Sequence, residues 1–552
     1  MTVNETKKVY TIDDLPDEVL EFILGLIPPY KDIHDCMQVS KRWRSCALNV
    51  IKIKRRNLNK AIADFDIAWS TITPAAMAPT ITKRYSHAAG VHENSMYVFG
   101  GCTCSMTTFN DLWRLDLSKR QWIRPLTMGT YPSPKACSTM VCYKDYLVLF
   151  GGWTYPPPYP LHQSWHLFNE LHTYDIKANR WTCINTDVTP PPTAGHSVSV
   201  HKNWMVVFGG LQRANNVVHT TTSNDIWKLN LDTWTWYKQE TQGHIKPVER
   251  YAHSQTVLND DNVLILGGSG GPSFYYADAW VLNMVGDIWK WIPVEVRNSD
   301  DAPSNLWCNP VCKVGDKIIV LNRSRQSTTP PFMYYSKRVW VPPRENQNQN
   351  DANNEGSSRG RNDKKVDTDE NVNGRRGTLK GLKRNNSDVG EHSNQLPIRN
   401  RQEQKLHEPA SNLSLAAFNN AENQPSTSRE ERRLENMRRV EEKWKKILKN
   451  KENKSTYEAR TKQKRNVLGM YVLDISHALD DKPYVSWLPL KNDGVLSQGP
   501  EETVLYTLVE GKSELIMFGG IQKDPASLVC TTNLSNQVSN SLHFITAPKY
   551  II

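Results

Sequence analysis

The sequence predicts a mainly β fold: a six-bladed β-propeller, preceded by a small all-α segment and interrupted by a long disordered insertion. Three observations carry this expectation. An apolar run ending in a glycine pair recurs at Met96–Gly101, Leu147–Gly152, Met205–Gly210, Val263–Gly268 and Leu515–Gly520. A tryptophan closes successive repeats, at Trp122, Trp181, Trp236, Trp291 and Trp487. Residues 343–465 break sharply from this vocabulary, and residues 466–548 return to it.

Each of the first four glycine pairs is followed by a second strand pattern: NDLWRLDL at Asn110–Leu117, NELHTYDI at Asn169–Ile176, NDIWKLNL at Asn224–Leu231 and ADAWVLNM at Ala277–Met284. A period of roughly 50 to 60 residues with four strands per unit fits a propeller blade of the Kelch type. Paired glycines permit the tight bend leaving the second strand, and the tryptophans are expected to pack between blades. These residues build scaffold and do not bind a ligand. The fifth unit is degenerate, with Asn322 and Arg323 after the run Lys317–Leu321; its third strand follows only at Met470–Ile475. A sixth unit has Glu514–Gly520 and Val538–Ile545 but no tryptophan after them. The missing strand is supplied by residues 67–74, where Trp69 heads WSTIT ahead of the first repeat. The propeller therefore spans 67–342 and 466–548, closed by its N-terminal strand. Closure of this kind removes exposed sheet edges.

In antiparallel blades the first-to-second and third-to-fourth loops share one face, and the remaining loops share the other. The first set is short, as at His92–Ser95, Tyr143–Asp145, Asn259–Asn262 and Ser118–Arg120. The second set is long, as at Cys102–Phe109, Trp153–Phe168, Leu211–Ser223 and Ser269–Tyr276. Long loops on a fixed scaffold are where binding concentrates. Tyr155, Tyr159, Trp165, Tyr275 and Tyr276 offer aromatic anchors there. Arg213, Arg323 and Arg325 are expected on the same face, with Arg84 and Arg250 near the blade starts. The alternative is that these aromatics pack on one another and stiffen their loops.

Residues 11–56 carry a compact helical pattern. Leu15, Pro16, Val19, Leu20, Ile23, Leu24 and Ile27 recur at helical spacing, with Asp13 or Asp14 as cap and Pro28-Pro29 as stop. A second helix runs through Ile33, Cys36, Met37 and Val39 toward Ser40-Lys41-Arg42-Trp43-Arg44. So few residues cannot build an independent core, and the apolar stripe is expected to meet a partner.

Composition excludes several classes. Residues 344–465 hold 28 Lys/Arg against 19 Asp/Glu, a net +9 out of +11 for all 552 residues. The rest of the chain is near neutral, so the folded part does not read as a nucleic-acid binder. The basic segment is too polar to offset its ordering entropy, although residues 430–454 have the composition of a charged helix. No run of about 18 apolar residues predicts a membrane span. Ten scattered cysteines make no paired zinc spacing and point to free thiols, hence cytoplasm or nucleus. There is no phosphate loop and no HExxH helix, and GGSGG at Gly267–Gly271 reads as a turn. His87, His196 and His253 recur once per blade as structural positions. No catalytic residue, metal site or cofactor is expected.

LPDEVLEFIL from Leu15, followed by VSKRWR from Val39, resembles an F-box, the motif that docks onto the Skp1 adaptor of cullin-RING ligases. Joined to a Kelch propeller, it resembles the F-box/Kelch proteins. The stretches KRYSHAA, MYVFGGCT, FNDLWRLDL, YPSPKA, YKDYLVLFGGWTYPPPYPLHQ, LWCNPVCKVG and MYVLDI carry the resemblance over 11–340 and 466–548. The insertion matches in position and disorder rather than in residues, and the degenerate fifth glycine pair departs from the pattern. The resemblance implies a non-catalytic, Skp1-bound subunit of a cullin-RING ubiquitin ligase that presents a target protein for ubiquitination. By it, Leu15, Pro16, Leu20, Ile23, Leu24, Val39 and Trp43 would dock Skp1. The alternative reading is a Kelch scaffold or cytoskeletal interaction protein outside any ligase.

Overall fold

The computed structural model describes residues 11–72, 79–105, 107–155, 166–213, 220–271, 274–325, 468–491, 499–522 and 537–548. The segment 343–465, with the charged helix expected at 430–454, lies outside them. The fold is mainly β, with a small helical unit ahead of a propeller-like domain.

Helix α1 (Asp17–Gly25) starts with Asp17 and Glu18 in its first turn, where carboxylates complement the helix dipole. Helix α2 (Lys31–Cys36) is short, and α3 (Lys41–Ala63) begins at Ser40, whose Oγ accepts from the Trp43 N–H. Leu20 and Leu24 of α1 pack with Ile33 and Met37 against Cys46, Ala47 and Val50 of α3. The helical unit thus has a core of its own, contrary to expectation. Its length lets α3 serve twice: the first half closes this core, and the second half reaches the propeller.

Six four-stranded antiparallel units follow. In the first, Ala88–His92, Ser95–Phe99, Leu112–Asp116 and Gln121–Ile123 pair in sequence order. In the fifth, Lys317–Arg323 pairs with Leu468–Asp474, so the chain on either side of the intervening segment joins one sheet. In the sixth, Ala68–Ile72 pairs with Leu542–Thr546, placing Trp69 opposite Ile545. The innermost strands of the six units neighbour one another in turn, and the sixth returns to the first. The outer strand of the fourth unit, Trp289–Arg297, runs long enough to pair in parallel with Tyr484–Trp487 of the fifth, so these two units share one sheet.

The blades are fastened in three layers. Around the axis, one residue at the start of each innermost strand adopts positive φ: Ser86, Cys137, Gly195, Ala252, Cys308 and Leu505, between 50° and 64°. Five backbone bonds link these six: Ser86 N–H to Leu505 C=O, Cys137 to Ser86, Gly195 to Cys137, Ala252 to Gly195 and Cys308 to Ala252, at 2.7–3.3 Å. Outside this belt, His87, His196 and His253 donate to or accept from Thr507, Thr139 and Ser197 of the preceding blade at 2.6–2.8 Å. Farther out, the phenylalanine before four of the five glycine pairs meets the next blade's tryptophan at a steep tilt: Phe518–Trp122, Phe99–Trp181, Phe150–Trp236 and Phe208–Trp291, with centroids 4.8–5.4 Å apart. The second glycine of each pair sits where no side chain fits. A Cβ on Gly101 would lie 2.8 Å from the His87 Cβ and 2.9 Å from the Tyr85 carbonyl oxygen.

Burial holds the imidazoles of His87, His196 and His253 neutral, with pKa values pushed down to about 3 from 6.5. In the unfolded chain these groups take up protons near the ordinary value. Their contribution is therefore complete above about pH 6.5 and is lost as pH falls toward 3. Denaturant midpoints should drop between pH 7.5 and pH 5, and a His196→Asn variant should show a shallower drop than the parent chain.

Candidate functional site

Two surfaces stand out, at opposite ends of the propeller. The first is on α1. Val19, Phe22 and Leu26 are 41%, 52% and 59% exposed, and Val39 after α2 is 62% exposed. Apolar side chains at i, i+3 and i+7 on one ridge, left open beside a closed core, form a line suited to a partner. The residues expected to dock Skp1 differ in their exposure. Leu20 and Leu24 are buried in the helical unit's core, because they lie on the side of α1 that meets α3. Ile23 is half-buried, and Pro16 is exposed at the α1 N-cap. The half-buried Leu15 gives its carbonyl to the Arg42 guanidinium, which also pairs with Asp17 at 2.7 Å. The indole of Trp43, half-buried, donates to Asp13 at 3.4 Å. Phe22 and Leu26 were absent from the expected set, although the second apolar line on α1 announces them.

The helical unit is mounted on the short-loop end of the propeller. Tyr30 is fully buried, and its hydroxyl donates to Glu514 Oε1 at 2.6 Å. Arg120 grips both oxygens of the same carboxylate at 2.7 and 2.8 Å, with its guanidinium 3.7 Å from the Phe544 ring centroid. Burial, then the Glu514 charge, push the Tyr30 phenol far above its usual range, so it remains a hydrogen-bond donor. Leu58 and Ile62 of α3 join the hydrophobic cluster between the fifth and sixth blades. At the end of α3, Lys491 reaches the Asp64 carboxylate at 3.5 Å.

The second surface is the long-loop face. Tyr155 is half-buried, and its ring meets Trp153 edge-on at 4.5 Å. Tyr275 and Tyr251 both meet Trp307, at 5.9 and 6.4 Å. Tyr276 lies 4.6 Å from the Arg250 guanidinium. These aromatics do stiffen their loops, yet Tyr155, Tyr275 and Tyr276 each keep part of their surface open. Trp307 was not anticipated; it occupies in the fifth blade the position that Tyr85 and Tyr251 hold in the first and fourth. Arg213 and Arg323 are half-buried on this face, and Arg325 is exposed. Tyr159 and Trp165 lie outside the described residues. Below the face, a cavity of about 380 Å³ follows the axis, lined by Ser86, Ser138, Thr139, Gln255, Trp307 and Asn309 among others. None of its lining residues is Asp, Glu, Lys or Arg.

Arg84 and Arg250 do not belong to this face. Both are 0% exposed. Arg84 makes a two-pronged contact to Asp111 at 2.7 and 3.0 Å, and Arg250 makes the same contact to Asp278 at 2.7 and 2.8 Å. Each also donates to the carbonyl of the first glycine of its blade, Gly100 or Gly267. Burial alone would raise the Asp111 carboxyl, but the Arg84 guanidinium outweighs it and holds that group below the ordinary range. A buried cation fully spent on an internal carboxylate fastens a blade and offers nothing to a partner.

Two family models match the chain. One, described as F-box-like, covers residues 12–57, and the other, described as the FBX42 beta-propeller domain, covers residues 84–291. Both parts of the chain thus resemble the F-box/Kelch proteins. Among curated proteins, mouse Kelch domain-containing protein 1 is 28% identical over 252 residues, covering 42% of this chain and 59% of that protein. Bovine Kelch domain-containing protein 2 is 29% identical, covering 41% and 57%. Rat Kelch domain-containing protein 3 is 28% identical, covering 47% and 68%. The first of these relatives is thus matched over less than two thirds of its own length. The F-box match falls on the helical unit and the propeller match ends at Trp291, so the fifth and sixth blades are known here from the structure.

Replacing Arg84 by methionine strands the Asp111 carboxylate in the blade, at a cost of about 3–5 kcal/mol. Chemical denaturation should show that loss. Retention of full stability would mean that Arg84 is available for other work.

Proposed function

We propose that this F-box/Kelch chain is the substrate-recruiting subunit of an SCF-type ubiquitin ligase. Its F-box binds Skp1, which joins it to the cullin-RING core, and the long-loop face of the propeller binds a target protein. The observation that carries this reading is the open apolar line Val19–Phe22–Leu26 on a helical unit whose other contacts already fix it to the opposite end of the propeller. A core-forming helix does not leave such a line in water without a partner. The chain itself performs no chemistry in this reading. Ubiquitin transfer is accelerated by holding the target near the charged conjugating enzyme, which raises the effective concentration of the reacting groups.

The aromatic rims around Trp153 and Trp307 and the uncharged axial cavity between them support a protein ligand. Aromatic surface held at low conformational cost is what interface hot spots use. Arg213, Arg323 and Arg325 add a basic flank to that face.

The test targets the exposed line, because its residues can change without disturbing the core. A Val19→Glu, Phe22→Glu double variant should lose co-purification with Skp1 and cullin, while its unfolding free energy stays within about 1 kcal/mol of the parent. Undiminished capture of Skp1 would overturn the docking assignment. Absence of Skp1 with the parent chain as well would favour a Kelch scaffold outside any ligase.

A further inference from the structure

Helix α3 carries eight Lys/Arg and no Asp/Glu over its 23 residues. Its inward side is spent on the cores already described. The outward side is a separate surface. Lys41, Arg44, Leu48, Lys52 and Arg55 follow one another at spacings of three and four residues, which places them on one ridge, with Arg56 and Lys60 beside it. All seven are exposed. Arg42 and Lys54 are not part of this ridge: Arg42 is taken by Asp17, and Lys54 donates to the Ile27 carbonyl.

Among the described residues, no carboxylate lies within salt-bridge distance of Lys41, Arg44, Lys52, Arg56 or Lys60; the ion pairs of the helical unit are Lys31–Asp35, Arg42–Asp17 and Asp64–Lys491. Arg55 is the one cation of the ridge that faces an acid, helping to oppose the upward push of burial on the Glu510 carboxyl. The like charges are left to repel one another along about 28 Å of helix. In the middle of them sits Leu48, 54% exposed.

We propose that this ridge of α3 docks an acidic segment of a partner protein that carries an apolar side chain near its centre. The charge gives the sign of the partner, and Leu48 gives its class. A phosphate backbone would neutralise the cations but would leave Leu48 in water. A lipid surface would need an apolar face of several residues, whereas one leucine stands alone among cations. An acidic peptide with one Leu, Ile or Phe satisfies both features. The ridge is turned away from α1, since Cys46, Ala47 and Val50 occupy the side of α3 that packs in the helical core. Docking there is therefore independent of the Val19–Phe22–Leu26 line, and a target or regulator held on α3 would lie beside the ligase attachment rather than on the long-loop face.

The experiment uses the full chain and three probes: a fluorescent 18-residue Glu-rich peptide with one central leucine, a 20-nucleotide oligouridine, and phosphatidylserine vesicles. The peptide should bind, with affinity falling about tenfold in an Arg44→Glu, Lys52→Glu variant. Leu48→Ser should weaken it about fivefold, and should have no effect on a peptide whose leucine is replaced by serine. Capture of Skp1 by both variants should match the parent, which separates this proposal from the docking reading above. Peptide binding unchanged by either variant would overturn it, because the peptide would then be held by other basic parts of the chain. Binding of the oligouridine or the vesicles that is lost on charge reversal but indifferent to Leu48 would also overturn it, in favour of those ligands.

Discussion

Six sheets converge on one axis in this molecule, and their inner ends crowd backbone amides into a ring around the axial cavity. The belt of Ser86, Cys137, Gly195, Ala252, Cys308 and Leu505 resolves that crowding. At five of the six positions the N–H turns sideways to the preceding blade's carbonyl, so that these groups satisfy one another. Left-handed backbone at non-glycine residues carries a cost, and here it is set against five inter-blade hydrogen bonds. Every outer layer inherits the spacing this belt imposes: the histidine–hydroxyl bonds first, then the phenylalanine–tryptophan contacts.

Two consequences follow for the surfaces at the ends. At the long-loop end, Tyr85 and Trp307 directly precede the belt residues Ser86 and Cys308, and Trp153 bridges Ala136, which precedes Cys137, so the loops they brace begin from fixed points. At the short-loop end, the hairpins around Ser118, Gly315 and Glu514 stand at set distances, and the helical unit can use several of them together. The Tyr30–Glu514–Arg120 contact joins α2 to the first and sixth blades through a single carboxylate. The open line of α1 is thereby held in a defined direction relative to the far face.

Much of this architecture was legible in the chain. The glycine pairs and their tryptophans mark the blades because each has a steric duty with few substitutes, and Trp69 marks the closing strand by the same token. The helical unit was legible as helices but not as a core, because periodicity tells which residues are apolar and not which of two apolar lines turns inward. Leu20 and Phe22 look alike in sequence; packing against α3 separates them. Arg84 and Arg250 misled for a similar reason. Arginine beside a blade start reads as surface, and only the carboxylates of Asp111 and Asp278, some 27 residues on, reveal that each is consumed internally. The basic ridge of α3 was hidden by averaging: a near-neutral net charge for the folded part conceals one helix that carries cations alone.

The strand that closes the propeller is also the one that follows α3, separated from it by the few residues between Ala63 and Ala68. Its partner strand lies far down the chain, with Thr71 and His543 separated by 472 positions. At ordinary rates of translation, the ribosome needs on the order of 25–95 s to make the intervening residues. During that interval α1 to α3 can fold, but Leu58 and Ile62 lack the fifth and sixth blades that cover them, and Trp69 waits on an unpaired edge. Newly made chains therefore pass through a stage in which the apolar line on α1 is formed and the ring is still open. A premature stop between the end of α3 and His543 leaves a product with the helical unit and an open ring.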